Sequence, residues 1–202
     1  MAFFPADHAV PETLRTPTFV LRPLRVAEAG RDYAAYMSSP DVIRVHSGGH
    51  WPVAGFTLAD EERELAHHEA RHCAKQDFAF ILLTPDATTG LGCVYLLPLL
   101  PVLHRGAAPP ALLAEVRDAT AIVTFWVRQD RQQTPLASQV ILAVHHWLLR
   151  DWPFADHLFR VNPGEHASIA ALDHCGFRLR FALTLPESPY LFFGTPVNDA
   201  AG

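Results

Sequence analysis

Hydrophobic and polar positions in the first third of the chain predict one strand followed by two helices. Apolar and polar residues alternate over Thr18–Leu24, as they do in a half-buried strand. Residues 26–39 then carry apolar side chains at helical spacing, and Pro40 ends that run. Between Leu58 and Lys75 the helical spacing returns, with acidic residues early and basic residues late, as the helix dipole favours.

The rest of the chain predicts more strands than helices. Strands are expected at Asp77–Leu83, Leu91–Leu99, Ala119–Arg128, 157–161 and 177–183, and helices at Pro135–Arg150 and 167–175. The proline-rich stretch 98–118 is predicted to be an insertion with one helical turn around Leu112. The resulting order, β-α-α-β-β-β-α-β-α-β, predicts an α/β (mixed α+β) fold with one mixed sheet and helices on both faces.

Length and composition favour one domain with a short tail. Half of the 202 residues are hydrophobic, which is enough for a substantial core. Residues 1–17 contain three prolines and no sustained period. We therefore expect an N-terminal tail at residues 1–15, lying on the surface as an arm, and a single domain at residues 16–202.

Charge, hydropathy and cysteine content exclude several classes of partner. The net charge is -5, the sequence pI is about 6.1, and no basic block is present, so nucleic acid is not expected as a partner. The chain shows neither a secretion signal nor an apolar stretch long enough to span a membrane, which predicts a soluble cytoplasmic protein without a membrane partner. Three cysteines without C-x-x-C spacing predict free thiols.

The stretch HEARH, His68 to His72, has the spacing of a zinc-protease motif. Histidines one helical turn apart can bind one metal, and Glu69 could then deprotonate a metal-bound water. A third ligand is missing, because Phe78 stands where one class of these enzymes has a histidine and a strand follows where another has a helix. We therefore expect His68 and His72 on a solvated helix face and no metal, with a zinc metallohydrolase as the remote alternative.

Four segments match, in order, the landmarks of one known family. They are TPTFVLRPLRVAE, YMSSPDVIR, FWVR and VNPGEHASIAALDHCGFRLR, and they span roughly residues 16–184. Together they resemble the GNAT superfamily of acyl-CoA-dependent N-acetyltransferases, most of all its ribosomal-protein N-acetyltransferase-like branch. The resemblance implies a GNAT-like fold with a central mixed, mostly antiparallel sheet. It also implies that the strands Ala119–Arg128 and His157–Asn162 splay apart to admit an acyl-CoA arm, with Pro135 at the start of the next helix.

The resemblance implies acetyl-CoA as co-substrate, held by a loop of pattern Q/R-x-x-G-x-G/A that here reads QQTPLAS, Gln132 to Ser138. Pro135 replaces the central glycine, lacks an N–H and crowds a phosphate, while Gln133 replaces a further glycine. Arg128 and Arg131 offer compensating charge. The implied cofactor-binding residues are Trp126, Val127, Arg128, Gln132, Gln133, Thr134, Pro135, Leu136, Ala137, Ser138 and Glu165.

The same resemblance implies a catalytic role for Ser168, which matches a serine that assists departure of the thiolate. Ile122 stands where many members carry a glutamate base, and Leu172 stands where others carry a tyrosine acid. The remaining candidates for the base are Asp118, His46 and His50. The implied function is acetyl transfer to a primary amine of a small molecule or of a protein N-terminus. The alternative is a catalytically degenerate binding or regulatory protein, and a homodimer is compatible with either.

Overall fold

One eight-stranded sheet forms the centre of the computed structural model, which describes residues 3–51 and 53–195. In space the strands follow the order β1-β2-β3-β4-β5-β6-β8-β7, and every neighbouring pair is antiparallel except β5 and β6. The mixed, mostly antiparallel sheet is therefore confirmed. The strands are β1 Leu14–Arg15, β2 Val20–Pro23, β3 Phe78–Leu83, β4 Gly90–Pro98, β5 Thr120–Val127, β6 Asp156–Val161, β7 Arg178–Thr184 and β8 Pro189–Gly194.

Within the described residues, seven α-helices cover the two faces of this sheet. They are α1 Ala29–Met37, α2 Pro40–His46, α3 Leu58–Cys73, α4 Leu99–Arg105, α5 Pro110–Glu115, α6 Leu136–Asp151 and α7 His166–His174. Thr57 begins α3 with a capping box, because its hydroxyl accepts from the Asp60 N–H while its own N–H donates to the Asp60 carboxylate. None of the helices in the described ranges has the length and apolarity that crossing a membrane requires.

Strand β5 is buried along its whole length because helices pack on both of its faces. Phe125 and Val127 face the large core shared with α6 and α7. Trp126 points to the other face, into the core beneath α1 and α3. Alternate residues of β5 therefore face two different cores. The side that carries Trp126 is the one that adjoins α1, α2 and α3.

The predicted separation of two strands is present between β5 and β6. Their parallel pairing runs from Thr120 opposite Asp156 to Val123 opposite Phe159 and includes no later residue of β5. The second half of β5 is therefore unpaired on this side. Helix α6 begins at Leu136 with Pro135 as its N-cap, so the predicted strand-to-helix junction is confirmed.

Several elements were not predicted from the sequence. The insertion contains two helices, α4 and α5, of which α5 includes the expected turn around Leu112. Helix α4 escaped prediction because Pro98 precedes it and Pro101 lies in its first turn, yet Leu99, Val102 and Leu103 bury its apolar side. Strand β8 was also missed; it inserts between β6 and β7, a pairing that no local pattern announces.

Residues of the predicted N-terminal tail contact the domain. The Phe4 side chain is only 3% exposed and meets the ring of Phe78 edge-on at 5.0 Å between centroids. The Lys75 ammonium donates to the carbonyls of Ala6 and His8 at 2.6 and 2.8 Å. Because aromatic burial and charge-assisted hydrogen bonds both act here, the segment before β1 is held against the sheet.

Candidate functional site

A groove of about 310 Å³ opens where β5 and β6 separate. Its floor is the end of β5, with Trp126 and Val127, and one wall is the loop that follows. The opposite walls come from α2 and from the segment that leads into α7. Among the residues that line it are six of the predicted site: Trp126, Val127, Gln132, Gln133, Glu165 and Ser168.

The loop between β5 and α6 is held by its own side chains. Gln132 Nε2 donates to the Val127 carbonyl at 2.6 Å, so the side chain covers the strand-edge acceptor at the groove floor. The Arg128 guanidinium forms two hydrogen bonds of 3.1 Å with the Asp130 carboxylate. Asp130 also lies 3.7 Å from Arg131, so one carboxylate offsets part of the positive charge expected to compensate for Pro135.

The first turn of α6 follows the groove-lining residues Gln132 and Gln133, but residues 134–138 do not themselves line the groove. Thr134 and Pro135 are exposed at the helix start, whereas the Leu136 side chain lies in the main core. The N–H groups of Ala137 and Ser138 belong to the first turn, where no helical carbonyl is available to accept from them. Pro135 contributes no donor, so a phosphate held here would rely on these two N–H groups. Binding by residues 134–138 remains a prediction.

Helix α7 carries the predicted serine at the groove. Ser168 is 8% exposed and lines the groove, whereas Leu172, one turn later, is fully buried in the main core. Glu165 also lines the groove, but both of its carboxylate oxygens are occupied. Oε1 accepts from His46 Nδ1 at 2.9 Å, and Oε2 accepts from the Asn162 N–H at 2.5 Å.

Helix α2 separates this groove from a second cavity. Val42 and Val45 face the groove, while Ile43 and His46 face the other side. Gln129 holds the start of the helix, because its Nε2 donates to Asp41 at 2.9 Å and its N–H donates to Ser39 Oγ at 3.0 Å. Trp126 lines both spaces, so the two cavities meet at Trp126 and α2.

The second cavity has a volume of about 440 Å³ and combines aromatic with acidic walls. Trp51, Phe56 and Tyr95 contribute rings, and carboxylates come from α1, α3 and the loop before β8. On α3, Glu61, Glu64 and His68 have the spacing of one helix face, and all three line the cavity. The i, i+3, i+7 spacing of these three residues is the sequence signal for this polar stripe.

A buried pair of carboxyl groups lies at this cavity. Asp32 on α1 and Glu61 on α3 are each 4% exposed, and their side chains are hydrogen-bonded to each other. Burial, with the adjacent carboxylate, raises the pKa of Glu61 to about 9, and burial also raises the pKa of Asp32. Cys93 Sγ donates to Asp32 Oδ1 at 3.0 Å. At neutral pH the pair therefore holds a proton on Glu61 between its two carboxyl groups.

The HEARH residues turn to three different surroundings. His72 is 8% exposed and packs edge-on against Phe78 and Phe80, where burial lowers its pKa. His68 lies 5.5 Å from the Tyr95 ring and faces the acidic cavity. Glu69 accepts from the Val26 N–H at 3.0 Å. The expectation of two histidines on a solvated face was therefore wrong, and the described residues contain no group of three or more potential ligands arranged for a metal.

Replacing His72 by alanine is expected to lower the free energy of unfolding by about 1–3 kcal/mol, because it empties a site between two core aromatic rings. A histidine on a solvated helix face would instead change the free energy of unfolding by less than about 0.5 kcal/mol. Urea unfolding of the variant measures the difference. His67→Ala is the matched control, since His67 is exposed on the same helix; equal stability of both variants would contradict the buried placement.

The other candidates for a general base differ in whether they line either cavity. Ile122 is fully buried in the core beneath α4, so its position offers no polar group, and Thr124 is the polar β5 residue that reaches the second cavity. Asp118 precedes β5 at the end remote from Val127 and lines neither cavity. His46 and His50 both line the second cavity, and His46 is the one bonded to Glu165.

Comparisons with known proteins agree with this architecture. A family model described as acetyltransferase (GNAT) domain matches residues 18–178. Ribosomal-protein-S5-alanine acetyltransferase from Vibrio fischeri is 11% identical with a TM-score of 0.68, covering 95% of this chain and 100% of its own. RimJ from Mycobacterium smegmatis, in complex with a CoA disulfide, is 15% identical with a TM-score of 0.66, covering 94% and 88%.

A third solved structure extends the likeness beyond these proteins. AAC(6')-Ib in complex with ribostamycin and coenzyme A is 14% identical with a TM-score of 0.64, covering 88% of this chain and 93% of its own. No curated protein matches the chain in sequence. At these identities the solved structures establish the fold, while the family model covers most of the chain.

Proposed function

Since this chain belongs to the acetyltransferase (GNAT) family, we propose that it transfers an acetyl group from acetyl-CoA to a primary amine. The acceptor amine would be carried by a small molecule or by a protein N-terminus. One observation carries the proposal: the groove at the β5–β6 separation meets a second, acidic cavity at Trp126 and α2. Two substrates could enter from opposite sides of α2 and meet there.

The groove would hold acetyl-CoA, the donor of an activated acyl group, through protein backbone groups more than through charged side chains. The N–H groups at the start of α6 would bind the pyrophosphate, as helix N-termini do in general. Gln132 would have to release the Val127 carbonyl for the pantetheine amide to pair with the strand edge. Neighbours of the same fold have been solved with coenzyme A and with a CoA disulfide, which supports this co-substrate.

The second cavity suits an acceptor that arrives as a cation. Glu64 adds an exposed carboxylate to the Asp32–Glu61 pair, and aromatic rings line the same space. Glu187 is paired with Arg105, and Arg160 is a cation in the same wall, so the carboxylates of α1 and α3 form the acidic side of the cavity. Carboxylates attract an ammonium group over a distance, and ring faces stabilise it at contact. Holding the amine beside the thioester in one complex would supply the proximity that direct transfer needs.

Ser168→Ala is expected to lower kcat for acetyl transfer by about 10- to 100-fold, because the hydroxyl would no longer protonate the departing thiolate. The assay measures free thiol released from acetyl-CoA with putrescine, tyramine and a short peptide bearing a free N-terminus. Calorimetric affinity for coenzyme A should stay within about threefold, since the hydroxyl acts after binding. Ser38→Ala, at the end of α1, is the control, and equal kcat in the two variants would contradict the role of Ser168.

The catalytically degenerate alternative has specific support. Pro135 removes a donor from the phosphate site, Asp130 pairs with Arg128, and Gln132 covers the Val127 carbonyl. This alternative predicts no thiol release with any amine, and calorimetry with millimolar coenzyme A would then separate weak binding from none. Turnover with one amine, lowered by Ser168→Ala, would favour the enzyme.

A further inference from the structure

A hydrogen-bonded histidine and glutamate span the boundary between the two cavities. His46 is the last residue of α2 and lines the acidic cavity, while Glu165 precedes α7 and lines the groove. The 2.9 Å bond between His46 Nδ1 and Glu165 Oε1 joins residues 119 positions apart in the chain. Their side chains are only 14% and 7% exposed, so the contact is largely removed from solvent.

The bond fixes which ring nitrogen of His46 can take a proton. An ionised carboxylate only accepts hydrogen bonds, so in the neutral imidazole Nδ1 carries the hydrogen and Nε2 carries the lone pair. Within the described ranges His46 Nε2 has no hydrogen-bond partner. The nitrogen is also not fully enclosed by protein atoms. The basic nitrogen of a ring held by Glu165 thus belongs to the wall of the acidic cavity.

Glu165 is itself held in place. Its second oxygen accepts from the Asn162 N–H at 2.5 Å, and Asn162 Nδ2 donates to Ser188 Oγ at 2.7 Å. Gly164 allows the close approach of this loop to α2, because a Cβ at that position would lie 2.9 Å from Val45 Cγ1. A carboxylate with both oxygens bonded cannot rotate freely, so it orients the imidazole.

We propose that His46 is the general base of this acetyltransferase and that Glu165 is the residue that positions it. The proposal rests on the proposed function, because it needs an amine in the acidic cavity and a thioester in the groove. It also gives Glu165 a role through His46, in place of the cofactor contact implied by the resemblance. The base is then supplied by α2, so the missing glutamate at Ile122 is no obstacle to catalysis.

The proton transfers balance as follows. An acceptor ammonium gives one proton to His46 Nε2, and the freed nitrogen lone pair attacks the thioester carbonyl carbon. The new C–N bond forms, the C–S bond breaks, and the thiolate leaves. The thiolate takes the second nitrogen proton, directly or through the Ser168 hydroxyl, and His46 returns its proton to solvent. The products are the N-acetylated amine, coenzyme A thiol and one proton.

Other groups at the acidic cavity are less suited to this role. Glu61 already holds a proton, because burial raises its pKa to about 9. His68 lies on α3 against Tyr95, and no carboxylate in the described residues is hydrogen-bonded to its ring. His50 lines the cavity without a carboxylate partner in the described ranges. Among the described residues that line this cavity, His46 is the one histidine that combines a place at the boundary with an orienting carboxylate.

The test compares His46→Gln, Glu165→Gln and the double variant, using the fastest acceptor of the amine panel. His46→Gln removes the basic nitrogen and should lower kcat by on the order of 10²-fold, with affinity for coenzyme A within about threefold. Glu165→Gln should lower kcat nearly as much. The new side-chain amide would accept from the Asn162 N–H through its oxygen and would therefore donate to His46 Nδ1 through its nitrogen. The imidazole hydrogen would then move to Nε2, which could no longer take a proton. The double variant should be no slower than His46→Gln.

Controls separate this role from a structural one. His67→Gln, exposed on α3, should leave kcat unchanged, and added imidazole should restore part of the activity of His46→Ala. If His46→Gln fails to fold, Glu165→Gln carries the test, because it keeps a hydrogen-bonding group in place. Activity of His46→Gln within threefold of the parent, or additive losses in the double variant, would overturn the proposal. Absence of turnover by the parent enzyme would overturn the proposed function and this base with it.

Discussion

Gly92→Ala is expected to lower the free energy of unfolding by about 4 kcal/mol, a loss in the range of severe core mutations. Gly92 lies in β4 opposite Val127, with φ at 146°, a conformation that side chains rarely adopt. A Cβ there would lie 2.0 Å from the Trp126 carbonyl oxygen. Because that neighbour is backbone of a central strand, β4 and β5 would have to move apart. Urea unfolding measures the loss.

The same substitution should disturb the candidate site, because Trp126 and Val127 form the floor of the groove. Affinity for coenzyme A should therefore fall in whatever fraction of Gly92→Ala remains folded. Gly30→Ala is the control, since nothing lies within 4 Å of its Cβ position and a helical alanine should stabilise α1 by about 0.5–1 kcal/mol. Equal stability of the two variants would contradict the close approach of β4 to Trp126.

Glu61→Gln is expected to remove a large part of the loss of stability at alkaline pH. The pKa of Glu61 is raised from 4.5 to about 9 in the folded protein, so the folded state binds a proton that the unfolded state has released. Stability from this group is complete below pH 4.5 and is lost as the pH rises towards 9. Glutamine cannot release a proton, yet it can keep a hydrogen bond to Asp32.

Between pH 6.5 and 8.5 the parent protein should therefore lose about 2–3 kcal/mol more than Glu61→Gln, since one pH unit corresponds to about 1.4 kcal/mol per proton. Denaturant unfolding at several pH values compares the two proteins directly. Glu62→Gln is the control, because Glu62 is an exposed neighbour on α3. If the free energy of unfolding changed with pH in the same way for the parent and for Glu61→Gln, Glu61 would be ionised in the folded protein at neutral pH.

Helix α3 illustrates how much of the site a sequence can reveal. Its helical spacing and its charge order were sufficient to predict the helix, and Glu61, Glu64 and His68 fall on one of its faces. The same pattern could not say what that face meets. His72, near the end of the helix, packs against Phe78 and Phe80, so a residue predicted to be solvated is buried. Burial depends on the sheet beneath, which local periodicity does not describe.

The sequence by itself determined most of the element order and the start of a helix near Pro135, because these depend on periods and turn residues within short segments. The family followed from the resemblance of four ordered segments to its landmarks. Only the tertiary structure decided which polar groups meet. Glu165, His46 and Asn162 come together through the packing of α2 on the loop before α7. The pairing of Asp32 with Glu61 likewise depends on α1 lying against α3. Contacts between distant segments follow from how helices pack on the sheet, and no local pattern in one segment encodes its partner in another.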